Sequence, residues 1–123
     1  MAEKALLFYG FTLGEAFTVR DAIAAALAAE IEMISASGRE NVTVESVLAE
    51  MPVSDFAEAD TRFLMFLGFD DGDISESIRA FPKISKRPIL CTLTENNLTW
   101  TVSYLIEHLK EEDARMKGNA CRS

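Results

Sequence analysis

Three carboxylates close together, Asp70, Asp71 and Asp73, follow an apolar run, Phe63 to Leu67, and a Gly68-Phe69 pair. Acids at the end of a buried strand are the donors that a hard cation such as Mg²⁺ accepts, through one or two direct bonds and water. The same acids also cap a helix and complement its positive end. An earlier stretch, Gly10-Phe11-Thr12-Leu13-Gly14-Glu15, repeats the outline with Thr12 and Glu15 where the aspartates stand. That favours capping, since both versions can cap and only one can bind metal. Gly10 with Gly14, and Gly68 with Gly72, each frame a turn into a helix, an arrangement that can bare backbone amides to a phosphate. Neither is G-x-G-x-x-G, neither carries the Gly-Lys-Ser/Thr of a P-loop, and aspartate at the turn discourages anions.

A second group of interest is Glu95-Asn96-Asn97 followed by Thr99-Trp100. A tryptophan beside amides can grip a small ligand or a partner. The structural alternative is that Asn97 takes a turn, Thr99 caps the next helix, and Trp100 holds its first turn on the sheet. Tyr104 and His108 continue the Trp100 line at four-residue steps, giving an edge suited to self-association or a solvated flank. His108 is the single histidine, so a histidine metal cluster or a Ser-His-Asp triad lacks members. Cys91 stands mid-strand with no base beside it in sequence, which describes a packed thiol. Lys83, Lys86 and Arg87 read as a solvated loop. No catalytic residue, metal ligand or cofactor is assigned. The ligand-binding candidates are Gly68, Asp70, Asp73, Asn97 and Trp100.

The elements that must position these residues follow from periodicity. Residues 5–9, ALLFY, form a short apolar run ended by Gly10, as in a strand covered on both faces. Thr12 and Glu15 form a capping box, and Ala16, Val19, Ile23, Ala26 and Leu27 recur at helical spacing behind it. The segment IEMISAS, from residue 31, fits either a continued helix or an alternating strand. In the second half, Pro82 and Pro88 stop the helix of Ile74, Ile78 and Phe81, so PILCTL, residues 88–93, is a strand. Thr43 caps a helix over VESVLAEM, and Thr99 caps a final one. That last helix buries Val102, Leu105, Ile106 and Leu109, pairs Glu111 with Arg115, and stops at Gly118.

Laid side by side, Ala5–Phe11 and Phe63–Phe69 match 58 positions apart, with Leu6/Leu64, Phe8/Phe66, Gly10/Gly68, Phe11/Phe69 and Gly14/Gly72 identical. Asn41-Val42-Thr43-Val44 matches Asn97-Leu98-Thr99-Trp100 at 56, implying that two residues are lost in the first helix of the second copy. The duplication makes IEMISAS a strand and each copy strand, helix, strand, helix. The expected domain spans 1–118: one copy at 4–51, a connection at 52–61, a second copy at 62–117, then a frayed tail. Neither copy alone holds a full core, so both share one α/β sheet of four mostly parallel strands with helices packed on it and pseudo-two-fold symmetry. Central placement of the first strand of each copy, with right-handed crossovers, gives the order 2-1-3-4. A crevice for ligands would then open between the two Gly-Phe turns, at the carboxyl ends of strands one and three.

Composition sets the outer bounds. Twenty acidic against twelve basic residues, a net charge of −8, repel phosphate backbones and anionic lipid, so nucleic acid is an unsuited partner. The N-terminus lacks a signal-peptide core, and no run approaches the ~20 apolar residues of a membrane span. Cys91 and Cys121 have no metal-ligand spacing and suit reduced thiols in a cytoplasm. The function expected is a non-enzymatic interaction or regulatory role, with a homo-oligomer or another protein as partner. The competing class is small-ligand or divalent-metal binding, with or without catalysis, in the crevice between the two Gly-Phe turns.

From RFLMFLGF to SYLIEHLKEE the second half resembles a small bacterial family, the domain of unknown function numbered three thousand seven hundred and eighty-three. Its members have an apolar strand ending in Gly-Phe, a short helix, a strand reading roughly A-V-L-T, and N-x-x-W-T opening a last helix. Asn97, Leu98, Thr99, Trp100 and Thr101 stand here as N-L-T-W-T, behind Thr94. The first half resembles a diverged copy with Val44 in place of Trp100. The resemblance implies a bacterial source and brings no activity or site residues with it.

Overall fold

The two apolar runs become the inner strands of one sheet. A computed structural model describes residues 3–50, 55–83 and 87–120, with side chains as far as residue 114. Along the chain the elements are β1 (Lys4–Tyr9), α1 (Leu13–Leu27), β2 (Ile31–Ser35), α2 (Val44–Glu50), β3 (Phe63–Leu67), α3 (Asp71–Ala80), β4 (Ile89–Thr92), α4 (Glu95–Leu98) and α5 (Val102–Ala120). The strand order is β2-β1-β3-β4. IEMIS is therefore a strand, and the order is the one expected from the apolar character of β1 and β3.

Alternation along each strand divides the core between two faces. Leu6, Phe8, Leu64 and Phe66 point to one face, where Val19 and Ile23 of α1 and Ile74 of α3 meet them. Leu7, Phe63 and Met65 point to the other, against Val44 and Val47 of α2 and Val102, Leu105 and Leu109 of α5. The result is a three-layer α/β/α arrangement. Each of these large side chains that leaves water stabilises the fold by about 1.5–3 kcal/mol against an exposed reference.

The helices start where local chemistry sets them. Thr12 Oγ1 accepts from the Glu15 amide at 3.2 Å, and Glu15 Oε1 accepts from the Thr12 amide at 3.1 Å. Asp70 and Asp73 make the equivalent reciprocal pair ahead of α3 at 2.7 and 3.2 Å. α3 ends at Ala80, just before Pro82 removes a donor.

Three expectations are corrected. First, β1 pairs with β3 antiparallel, while β1–β2 and β3–β4 are parallel. With Ala5 opposite Leu67 and Tyr9 opposite Phe63, the Gly10-Phe11 and Gly68-Phe69 turns lie at opposite ends of the sheet, and no crevice forms between them. Short runs covered on both faces carry no signal of direction, so the switch-point geometry of a parallel sheet did not apply.

Second, α5 is capped by Thr101, whose Oγ1 accepts from the Tyr104 amide at 3.2 Å, and not by Thr99, which closes α4. Thr43 and Thr101 form an isolated antiparallel bridge, and they stand 58 positions apart. The registers pair Leu6 with Met33 and Leu64 with Leu90, so the spacing falls to 57 between β2 and β4 and returns to 58 at Thr43 and Thr101. Third, α5 continues through Gly118 to Ala120.

The connection between the halves is without helix or strand from residue 55 to 62. It is tied down where Ala59 donates to the Gly10 carbonyl and Ser35 Oγ donates to the Asp55 carbonyl. Lys86, Cys121, residues 52–54 of the connection and the last residues of the tail lie outside the described residues. No described helix is long and apolar enough to cross a membrane.

Candidate functional site

Gly68 leaves β3 with φ +76°, a left-handed conformation, and a Cβ on it would stand 2.3 Å from the Glu3 carbonyl oxygen. Its place is thus fixed by close passage of the chain entering β1. The aspartates beyond it are committed to the start of α3 through their mutual capping, and Asp73 Oδ2 also lies 3.6 Å from Lys4 Nζ. Among the described residues no group of three His, Cys, Asp or Glu side chains is placed to hold a metal ion.

At the far end of the sheet the other turn has the same construction. Gly10 has φ +85°, and a Cβ there would meet the Thr61 carbonyl oxygen at 2.6 Å. Beside it, the fully buried Arg62 guanidinium bonds Glu15 at 2.7 Å, lies 3.4 Å from Glu58, and covers the Phe11 ring at 5.0 Å. Partial burial pushes the Glu15 carboxyl pKa up. Hydrogen bonds from the Thr12 amide, Arg62 and the Thr12 hydroxyl outweigh that and hold it below its ordinary value.

Asn97 and Trp100 lie elsewhere, around the carboxyl end of β4. Asn97 Oδ1 accepts from the Thr94 amide at 2.9 Å, while its Nδ2 donates to the Thr92 carbonyl at 3.0 Å. The amide side chain therefore closes the end of the strand onto α4. Trp100 anchors the next turn: its carbonyl accepts from Val44 N at 2.8 Å, and Val102 N donates to the Val42 carbonyl at 2.9 Å. The indole then meets Tyr104 edge-on and His108 tilted, each at 4.8 Å between centroids, and Tyr104 is 56% exposed. The expected aromatic line is formed, running along α5.

Between β4 and α5 lies a hollow of about 490 Å³ whose walls include Cys91, Asn97, Trp100, His108, Glu112 and Asp113. Among the described residues none that lines it is Lys or Arg, and Gly68, Asp70 and Asp73 do not reach it. His108 Nε2 sits 2.8 Å from Glu112 Oε1. Burial, followed by the Glu112 charge, pushes the Cys91 thiol up to about 12, so the sulfur in this wall is a packed thiol and no nucleophile at neutral pH.

β4 is an edge strand. Ile89 N donates inward to the Arg62 carbonyl at 2.9 Å. In a parallel ladder successive residues direct their backbone groups to opposite sides, so Leu90 turns its amide and carbonyl outward. The Thr92 carbonyl, next on that side, is taken by Asn97. On the α3 side, before the start of β4, a second hollow of about 420 Å³ is lined by Ile78, Phe81, Pro82, Lys83 and Arg87. Leu90 and Pro88 join Ile78 and Phe81 in a small recess between it and the strand. The other sheet edge is partly closed, because Arg20 Nη1 donates to the Ile31 carbonyl at 3.3 Å.

Of the sequence candidates, then, Asn97 and Trp100 come together, and the Gly68-Asp70-Asp73 group is a separate structural turn. Sequence reading missed the part played by Leu90, Ile78 and Glu112. The expected strand order already made β4 an edge, and His108 with Glu112 at i, i+4 was the readable half of the acidic wall.

No curated protein and no solved structure matches this chain. One family model does, over the segment from β3 into α5, and both hollows lie within it. Residues 62–116, in the second half of this chain, match the model of a family described as a Domain of unknown function (DUF3783).

Proposed function

We propose that this protein is a non-enzymatic interaction domain that accepts an extended polypeptide along β4. One observation carries the reading: the outward-facing backbone of Leu90 lies between a hollow on the α5 face and a hollow on the α3 face. An added strand gains main-chain hydrogen bonds at such an edge, and its side chains, alternating between faces, need room on both. A packed Cys91 thiol in one wall suits a reducing, cytoplasmic setting.

The test uses the single tryptophan, which lines the α5-face hollow. A panel of short blocked peptides of high strand propensity is titrated against the full chain, reading Trp100 emission and hydrogen exchange at the Leu90 amide. Binding by strand addition shifts the emission and slows Leu90 exchange. In Leu90→Pro, which removes the outward donor and leaves the inner ladder intact, the emission shift vanishes. Unchanged Leu90 exchange with every peptide rules the reading out.

The same reading includes a fused pair of copies related by a pseudo-two-fold axis. Supporting it are pairs that recur 58 positions apart. Arg62–Glu15 answers Lys4–Asp73, the Thr12–Glu15 box answers Asp70–Asp73, and the Val44 N to Trp100 O bond answers Val102 N to Val42 O. Leu7 and Met65, likewise 58 apart, face each other where such an axis would cross the sheet. In this view each copy presents one outer strand, and the second copy has the open one.

A further inference from the structure

We propose, resting on the reading of β4 as a strand-accepting edge, that its occupant is an extended segment of another protein in which basic and apolar residues alternate. Side chains of an added strand point by turns to the α5 face and to the α3 face. On the α5 face they enter a space walled by Glu112 and Asp113 and by the rings of Trp100 and His108, with no Lys or Arg among the described residues that line it. A lysine or arginine fits there: its charge meets a carboxylate, and its stem or guanidinium lies against an aromatic face.

On the α3 face they meet Ile78, 44% exposed, with Phe81 and Pro82 behind it. That wall takes an apolar side chain. Lys83 and Arg87, which also line it, repel a cation, so the two hollows together fix which face of the incoming strand turns which way. The overall charge of −8 acts in the same direction, drawing a basic segment in and opposing a second copy of this chain, which would bring a further −8 and its own Glu112.

Three blocked peptides of equal length separate the possibilities, alternating valine with lysine, with serine and with glutamate. Each is titrated against the full chain, following Trp100 emission and Leu90 amide exchange. The lysine peptide is expected to bind on the order of tenfold more tightly than the serine peptide at low ionic strength and to lose that margin as salt rises. Glu112→Gln, on the exposed side of α5, should remove most of the margin between the lysine and serine peptides. Equal binding of lysine and serine peptides, with Leu90 protected by both, overturns the basic specificity and leaves strand addition standing. If no peptide protects Leu90, both proposals fall. Protection of Leu90 that rises with protein concentration alone, with a dimer in light scattering, identifies a second copy as the occupant and overturns the proposal.

Discussion

Arg62 is the residue whose surroundings make the strongest demand on the fold. Its side chain has no solvent exposure and a carboxylate, Glu15, at 2.7 Å. Glu15→Gln removes the nearer carboxylate and leaves Glu58 at 3.4 Å, so it should destabilise the protein by about 1.5 kcal/mol in urea unfolding. Because the folded Glu15 pKa is lowered, its contribution is present above the ordinary carboxylate range and is lost as pH falls through that range. The difference between wild type and variant should therefore shrink below about pH 4. Tyr9 gives the opposite sign. Its hydroxyl donates to Glu40 at 2.7 Å, and burial, then the Glu40 hydrogen bond and charge, push its pKa up to about 12. An unfolded phenol ionises near pH ~10, so stability should drop between there and pH 12, and Tyr9→Phe should lack that part of the drop. The Thr12–Glu15 capping box was legible in sequence because its partners sit three residues apart. The Arg62–Glu15 pair spans 47 positions, and nothing local announces it.

Among the elements, the two inner strands depend on turns that let the backbones pass closely. Gly68→Ala imposes both a left-handed residue with a side chain and a contact at 2.3 Å with the Glu3 carbonyl, and should cost at least about 3 kcal/mol in thermal or urea unfolding. Gly14→Ala in the first turn of α1 meets nothing within 4 Å and should be neutral or stabilising by up to about 1 kcal/mol. Strand identity was readable from apolar runs and prolines, including β2, whose own pattern was ambiguous until the matching segment was considered. Direction was not, because Phe63 to Leu67 would look the same beside a parallel or an antiparallel neighbour. The cap of α5 was misread for a related reason: Thr99 and Thr101 both suit the role, and only the bridge of Thr101 to Thr43 decides between them.

At the scale of the whole molecule, the site is where two layers fail to cover an outer strand. The α5 layer leaves Cys91 and Trp100 walling one hollow, and the α3 layer leaves Ile78 beside another. Sequence gave Trp100 and Asn97 prominence but supplied no reason to join them to Leu90 or Ile78, since a gap between layers has no local pattern. The inner pairing, by contrast, has a consequence in time. Leu7 meets Met65, 58 positions further along the chain, whereas β1 finds β2 within 27. Closing the longer loop carries the greater entropy cost and should come late in folding. On the ribosome the first half emerges with the inner side of ALLFY bare until FLMFL arrives, and an unpaired apolar strand edge is a template for any other chain in the same condition. Yield at high expression is therefore set by how quickly the second half follows the first.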